Sequence, residues 1–217
     1  MKTPAKNMWR SAALLGLVAM LGTVLLAGIH ALTKDRIAEQ QRRAILQQLN
    51  QVLPPEAYDN ALHDDVTEIS DPTFFKHPDP VQVYRARLRG EPVAAILNVV
   101  APDGYNGDIR LLVGVFTDGR ISGVRVIAHR ETPGLGDPIE RRRSDWITRF
   151  KGRSLDNPDP ADWAVERDGG VFDQFTGATI TPRAVVEAVH RALEYFSAHQ
   201  EALFAARARE AETGTDR

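Results

Sequence analysis

From Ser11 to Thr33 the chain carries no Asp, Glu, Lys or Arg, and no other stretch restricts its fold as tightly. As a helix, such a run rises about 33 Å, enough to cross a hydrocarbon core about 30 Å thick. A lone span in lipid must be helical, because only a helix satisfies every backbone N–H and C=O within itself. Trp9 stands at one edge, where an indole suits the headgroup region. A cleaved leader is the competing reading. The run is long for one, and Gly28-Ile29-His30-Ala31 leads straight into further helical periodicity rather than an open cleavage loop. The segment therefore reads as a retained transmembrane anchor. Lys2, Lys6 and Arg10 precede it; Lys34, Arg36, Arg42 and Arg43 follow it, offset by Asp35 and Glu39. That near balance leaves the orientation open on charge alone.

The remaining chain is mixed and polar. Across all 217 residues, 43% are hydrophobic and 26% charged, close to the soluble average, so one packed domain beyond the anchor is expected. A net charge of -2 gives no reason to expect nucleic acid. The chain has no cysteine, which excludes thiolate-held iron–sulfur clusters, disulfides and a thiol nucleophile. The six histidines lack metal-ligand spacing, so no metal site is expected. A chain like this that handles electrons needs a bound organic cofactor.

Periodicity divides the chain into 1–10, a span at 11–33, a juxtamembrane helix and irregular connector at 34–80, a domain at 81–209 and a disordered tail at 210–217. Ile37, Ala44, Ile45, Leu46 and Leu49 recur at helical spacing until Pro54-Pro55 stops the helix. Val81 to Leu88 alternates as a strand, Arg89-Gly90 turns the chain, and Val93 to Val100 returns it. Ile109 to Phe116 and Ile121 to Ile127 flank the Asp118-Gly119 hairpin turn. Ile139 to Phe150 predicts a short helix. A final helix, predicted to start at Thr181-Pro182, places Val185, Val186, Val189, Leu193 and Phe196 on one face. Strands gathered between helices imply an α+β domain with a mainly antiparallel sheet and flanking helices.

The stretch Asp173-Gln174-Phe175-Thr176-Gly177-Ala178-Thr179-Ile180-Thr181-Pro182 carries the chemistry. Gly177 and Ala178 let a bulky group approach the backbone. A phosphate on the Thr179 hydroxyl would lie near free N–H groups and the positive end of the following helix. Taken by itself, the stretch also reads as an ordinary small-residue loop ahead of a capped helix.

Asp173, Thr176, Gly177, Ala178, Thr179 and Thr181 together resemble the flavinylation motif of the covalent-FMN domains of Rnf/Rsx electron-transport complexes and sodium-translocating NADH:quinone reductases. Two further segments resemble the same family. His129-Arg130-Glu131-Thr132-Pro133-Gly134-Leu135-Gly136-Asp137 is similar to its Glu-Thr-Pro-Gly-Leu-Gly loop, and Gly104-Tyr105-Asn106-Gly107 to its Gly-Tyr-x-Gly turn. Thr176 stands where Ser is common. Length, loop form and the single span are most similar to the RnfG/RsxG branch, the flavin-bearing component of the Rnf/Rsx complex.

The resemblance implies FMN joined to Thr179 by a phosphoester, made by a separate flavin transferase that Asp173 helps to engage. It implies a single-pass protein of the bacterial inner membrane with a periplasmic domain, relaying electrons among other membrane subunits of a complex that couples ferredoxin/NAD-type electron transfer to ion translocation. In this reading the chain is an electron-transfer subunit of an oxidoreductase complex, not an independent catalyst, and none of its residues is catalytic. The loop Gly134-Leu135-Gly136 is expected near the flavin ring, with Glu131 and Thr132 as polar contacts; Tyr105 either stacks there or fills the core. His129 is expected to be structural, and Arg141-Arg142-Arg143 a solvated face or partner contact. Two alternatives belong to other classes. One is the corresponding subunit of a quinone reductase or another extracytoplasmic reductase; the other is a cofactor-free anchored interaction module.

Overall fold

The computed structural model describes residues 5–213. Positions 1–4 and 214–217 lie outside them, and so do the side chains of Lys6 and Arg10. Two compact units divide the chain, Met1–Ile45 and Leu46–Arg217.

The first unit is most of helix α1, Ala5–Leu49. Its apolar side chains lie open on every described turn, from Leu14 and Leu15 to Leu32, and the helix is long and apolar enough to cross a membrane. An apolar helix with no protein cover needs some other nonpolar surrounding.

The second unit is built on a five-stranded antiparallel meander, β1 (Val66–Ile69), β2 (Val81–Leu88), β3 (Glu91–Ala101), β4 (Ile109–Phe116) and β5 (Ile121–Ala128), in that spatial order. The period of two along each strand sorts its side chains to opposite faces. On one face Val83, Ala95, Leu97, Leu111, Val113 and Val124 join the main core. The closing layer there is helix α3, Ile180–Thr213, which packs Val185, Val189, Leu193 and Phe196 over β3 and β4. The opposite face is covered by Leu49, Val52, Leu53 and Leu62 against Tyr84, Ala94, Ile96 and Leu112.

Four structural details differ from the sequence reading. The connector is not wholly irregular: it contributes β1, paired with β2 from Val66↔Tyr84 to Ile69↔Val81, and a one-turn helix α2, Pro72–Phe75, capped by the Asp71 carboxylate. The helix expected over Ile139 to Phe150 is instead two 3-10 turns, Asp137–Ile139 and Trp146–Phe150. The Ser144 hydroxyl explains the break. It donates to the Pro138 carbonyl at 2.6 Å and accepts the Trp146 N–H at 3.1 Å, replacing helical backbone bonds with side-chain ones. The last helix starts at Ile180, ahead of Thr181-Pro182. It runs to Thr213, so the tail expected from Glu210 overlaps its end, and positions 214–217 lie outside the described residues.

Candidate functional site

Three connections meet at one end of this sheet. The loop after β5 turns at Thr132–Leu135: the Leu135 N–H donates to the Thr132 carbonyl at 3.1 Å, and Gly134 has φ +80°. Pro133 then Gly134 in the two central places is the sequence a type II turn demands. The chain before α3 makes a second turn of this kind at Phe175–Ala178, where the Ala178 N–H donates to the Phe175 carbonyl at 3.0 Å and Gly177 again has φ +80°. The two turns face each other: a Cβ on Gly177 would lie 4.0 Å from the Leu135 Cδ2 atom. The third connection is the β3–β4 turn carrying Tyr105 and Asn106.

Glu131 joins all three. Its carboxylate is buried, only 4% exposed. Oε1 accepts the Asn106 N–H at 3.0 Å, while Oε2 accepts the hydroxyl proton of Thr181 in a short contact. Thr181 is fully buried, so its hydroxyl serves this carboxylate and does not cap the helix as its position ahead of Pro182 suggests. The cap position belongs to Thr179, whose carbonyl accepts the Arg183 N–H at 3.3 Å. Gly136 makes room for the arrangement: a Cβ there would come within 2.9 Å of Glu131 and 3.0 Å of the Thr181 hydroxyl. Alongside, the Asn106 side-chain amide donates to the Thr132 hydroxyl at 3.1 Å.

Between these turns lies a cleft of about 210 Å³, lined by Tyr105, Glu131, Thr132, Leu135, Gly136, Gly177, Ala178, Thr179, Ile180 and Thr181. Enclosed ligand pockets run to ~300–1,000 Å³. A cleft this small grips part of a large ligand and leaves the rest outside. Its rim is apolar and unusually open, with Tyr105 67%, Leu135 48% and Ile180 45% exposed. Tyr105 therefore does not fill the core.

The lining includes the half-buried Thr179 side chain, with no hydrogen-bond partner for its hydroxyl among the described residues. The first N–H groups of a helix lack intrahelical acceptors. Pro182 has none to offer, which leaves those of Ile180 and Thr181 facing the free end. The chemistry on offer is thus an unengaged hydroxyl, anion-stabilising N–H groups and a partly open apolar rim.

The remaining residues singled out from sequence lie just outside. Gly134 and Thr176 are exposed and do not line the cleft. Asp173 pairs with Arg149 at 2.6 Å, and its carbonyl accepts the Trp146 indole N–H at 2.8 Å. Nδ1 of His129 accepts the Glu131 N–H at 3.0 Å, and its Nε2 lies 2.7 Å from the Glu140 carboxylate. Sequence reasoning missed Asn106 and Ile180. Both sit at variable places of their motifs, where nothing marked them except the neighbours that did stand out. Among the described residues no cluster could hold a metal ion.

Residues 104–194 match the FMN-binding domain family, and residues 1–52 match the RnfG N-terminal region. The G component of the ion-translocating oxidoreductase complex of Pseudomonas aeruginosa is 52% identical over 200 residues, covering 92% of this chain and 94% of that protein. The protein of the same name from Shewanella oneidensis is 47% identical over 197 residues, covering 91% and 93%. That from Vibrio cholerae is 45% identical over 194 residues, covering 89% and 92%.

Proposed function

The chain belongs to the RnfG family of ion-translocating oxidoreductase complexes, and from that premise we propose that it carries FMN as a phosphoester on Thr179 and relays electrons through it. The observation that carries this reading is Thr179 itself: a hydroxyl without a partner, at the start of α3, opening into the cleft between the two glycine turns.

The cleft fits the group. A phosphoryl ester on the Thr179 oxygen would meet the N–H groups of Ile180 and Thr181 and the positive end of a long helix. The apolar edges of Tyr105, Leu135 and Ile180 suit the flat ring system beyond it. Thr132 offers its hydroxyl at the cleft wall, while Glu131 has both oxygens engaged and holds the walls together. Bound FMN supplies the redox chemistry that the side chains of a cysteine-free protein lack. The protein's own part is to tether, orient and partly shield it.

In the same reading, α1 anchors the chain in the inner membrane with the FMN-binding domain on the periplasmic side. A flavin transferase forms the ester, and Asp173, outside the cleft, belongs to the surface that enzyme reads. The chain works with the other subunits of a complex that couples electron transfer, of the ferredoxin/NAD type, to ion movement, and is no independent catalyst. Intact-mass measurement of the full chain, expressed with and without the transferase, tests the proposal. The adduct should appear only with the transferase and vanish in Thr179→Ala. An adduct that persists in Thr179→Ala, or a parent mass that never shifts, overturns it.

A further inference from the structure

The sheet ends at β5, and the outer edge of that strand is treated differently at its two ends. At the start, Ile121 is covered: its N–H donates to the Arg153 carbonyl at 2.7 Å, and its carbonyl accepts the Gly152 N–H at 2.8 Å. From Arg125 to Ala128 no strand of the sheet follows. A groove of about 720 Å³ opens there instead, walled by these residues, Gln51, His129 and Glu140–Arg142.

The groove is cationic although the chain as a whole is acidic. Three arginines, Arg125, Arg141 and Arg142, face one carboxylate. That carboxylate, Glu140, is already engaged by Arg142 and His129. Arg141 pairs with Asp145 on the exposed outer side at 2.5 Å. Arg125 differs from both. It is half-buried, donates to the Val124 carbonyl at 2.7 Å, and has no carboxylate at ion-pair distance among the described residues. Burial, and then the nearby Arg141 cation, lower its pKa, as happens when cations crowd without counter-charge. Arginines that merely guard a sheet edge against stray pairing can do so from full exposure. A half-buried arginine that lines a groove and has no carboxylate partner leaves guanidinium donors open to one. The groove neighbours the cleft: His129 in its wall accepts the N–H of Glu131, which lines the cleft.

We propose that this groove is a docking surface for an acidic, extended segment of a neighbouring subunit of the complex. The proposal rests on the chain's place in such a complex. An extended segment could add its backbone to the open part of β5, and its carboxylates would meet the guanidinium groups. An electrostatically steered contact beside the cleft suits a neighbour held close to it within the complex.

The purified complex reconstituted with the full chain tests this. Retention of the chain is measured through a salt gradient, with flavin content followed by mass and folding by thermal unfolding. The pair Arg125→Gln/Arg141→Gln should be held about tenfold more weakly than the parent. Its flavin content and melting temperature should match the parent. Arg141→Gln/Arg142→Gln, at exposed positions, should weaken retention in the same direction and covers the case in which the Arg125 variant unfolds. Arg125→Lys/Arg141→Lys should restore most of the retention. Release of the Gln pairs at the parent's salt concentration overturns the proposal, and so does equal loss in the Lys pair. A defect that appears with phosphatidylglycerol present and disappears in pure phosphatidylcholine means that the groove reads lipid headgroups, which also overturns it. A parent without flavin, whose Gln pairs are still released early, sinks the flavin reading and leaves the docking surface standing.

Discussion

At the scale of single residues, Glu131 explains why three separated sequence segments belong together. One buried carboxylate takes a backbone N–H from the β3–β4 turn and a hydroxyl from the start of α3, while its own loop carries the Pro133-Gly134 turn. Glu131→Ala strands the Asn106 N–H and the Thr181 hydroxyl, and should cost about 2–4 kcal/mol. Glu131→Gln keeps an acceptor for Asn106 and can donate to Thr181, so its cost should be about 1 kcal/mol. Urea unfolding of both variants measures the difference; equal losses would show that a neutral amide of the same size cannot take over the carboxylate's bonds. Sequence order hid this role. Thr181 followed by Pro182 has the form of a helix cap, and only the fold reveals a partner 50 residues away. The cap position falls to Thr179, so the residue marked for modification also starts the helix.

Among the elements, β2 to β5 were legible because β2 alternates, β3 to β5 are apolar runs of strand length, and Arg89-Gly90 and Asp118-Gly119 mark the turns that pair them. Strand β1 was not: four residues among Pro and Asp, with Val66 and Ile69 only half-buried, leave no periodic signal. The 139–150 segment misleads for another reason. Trp146, Ile147 and Phe150 are spaced as on a helix and are all buried, but Ser144 diverts the backbone bonds that a helix needs. The same segment holds Glu140, whose pKa falls from its ordinary 4.5 to about 2, chiefly through the Arg142 guanidinium and then through the His129 hydrogen bond. A carboxylate lowered on folding stabilises the fold fully above pH 4.5, and that contribution is lost as pH falls toward 2. Arg142→Ala should therefore flatten the melting-temperature profile between those limits. The effect should be small, because Arg142 is 75% exposed and solvent screens the pair. Profiles that stay parallel would exclude the linkage.

At the scale of the whole molecule, the boundary between anchor and domain does not fall where composition changes. The charge-free run ends at Thr33 and the first clear strand starts at Val81, which suggests a spacer between them. Yet Leu49, Val52, Leu53 and Leu62, all within that interval, form the cover of one sheet face. A chain beginning at Leu46 should fold with the domain's full melting temperature. One beginning at Pro54 loses three buried aliphatic side chains, each worth about 1.5–3 kcal/mol, and should be molten or unfolded at room temperature. Circular dichroism melts of the two compare them directly. Matching melts would return Leu49, Val52 and Leu53 to the role of a spacer.

The turn that presents Thr179 rests on an indole. Trp146 donates to the Asp173 carbonyl, and its ring centroid lies 5.3 Å from that of Phe175, the first residue of the turn. Indole emission overlaps flavin absorption, so a flavin on Thr179 would drain the excited state of Trp146 at close range. The domain holds just one other tryptophan, Trp163, linked to Trp146 through Phe150. The ultraviolet glow of the protein is thus a built-in optical gauge, bright when the chain is bare and dimmed once its cargo is attached.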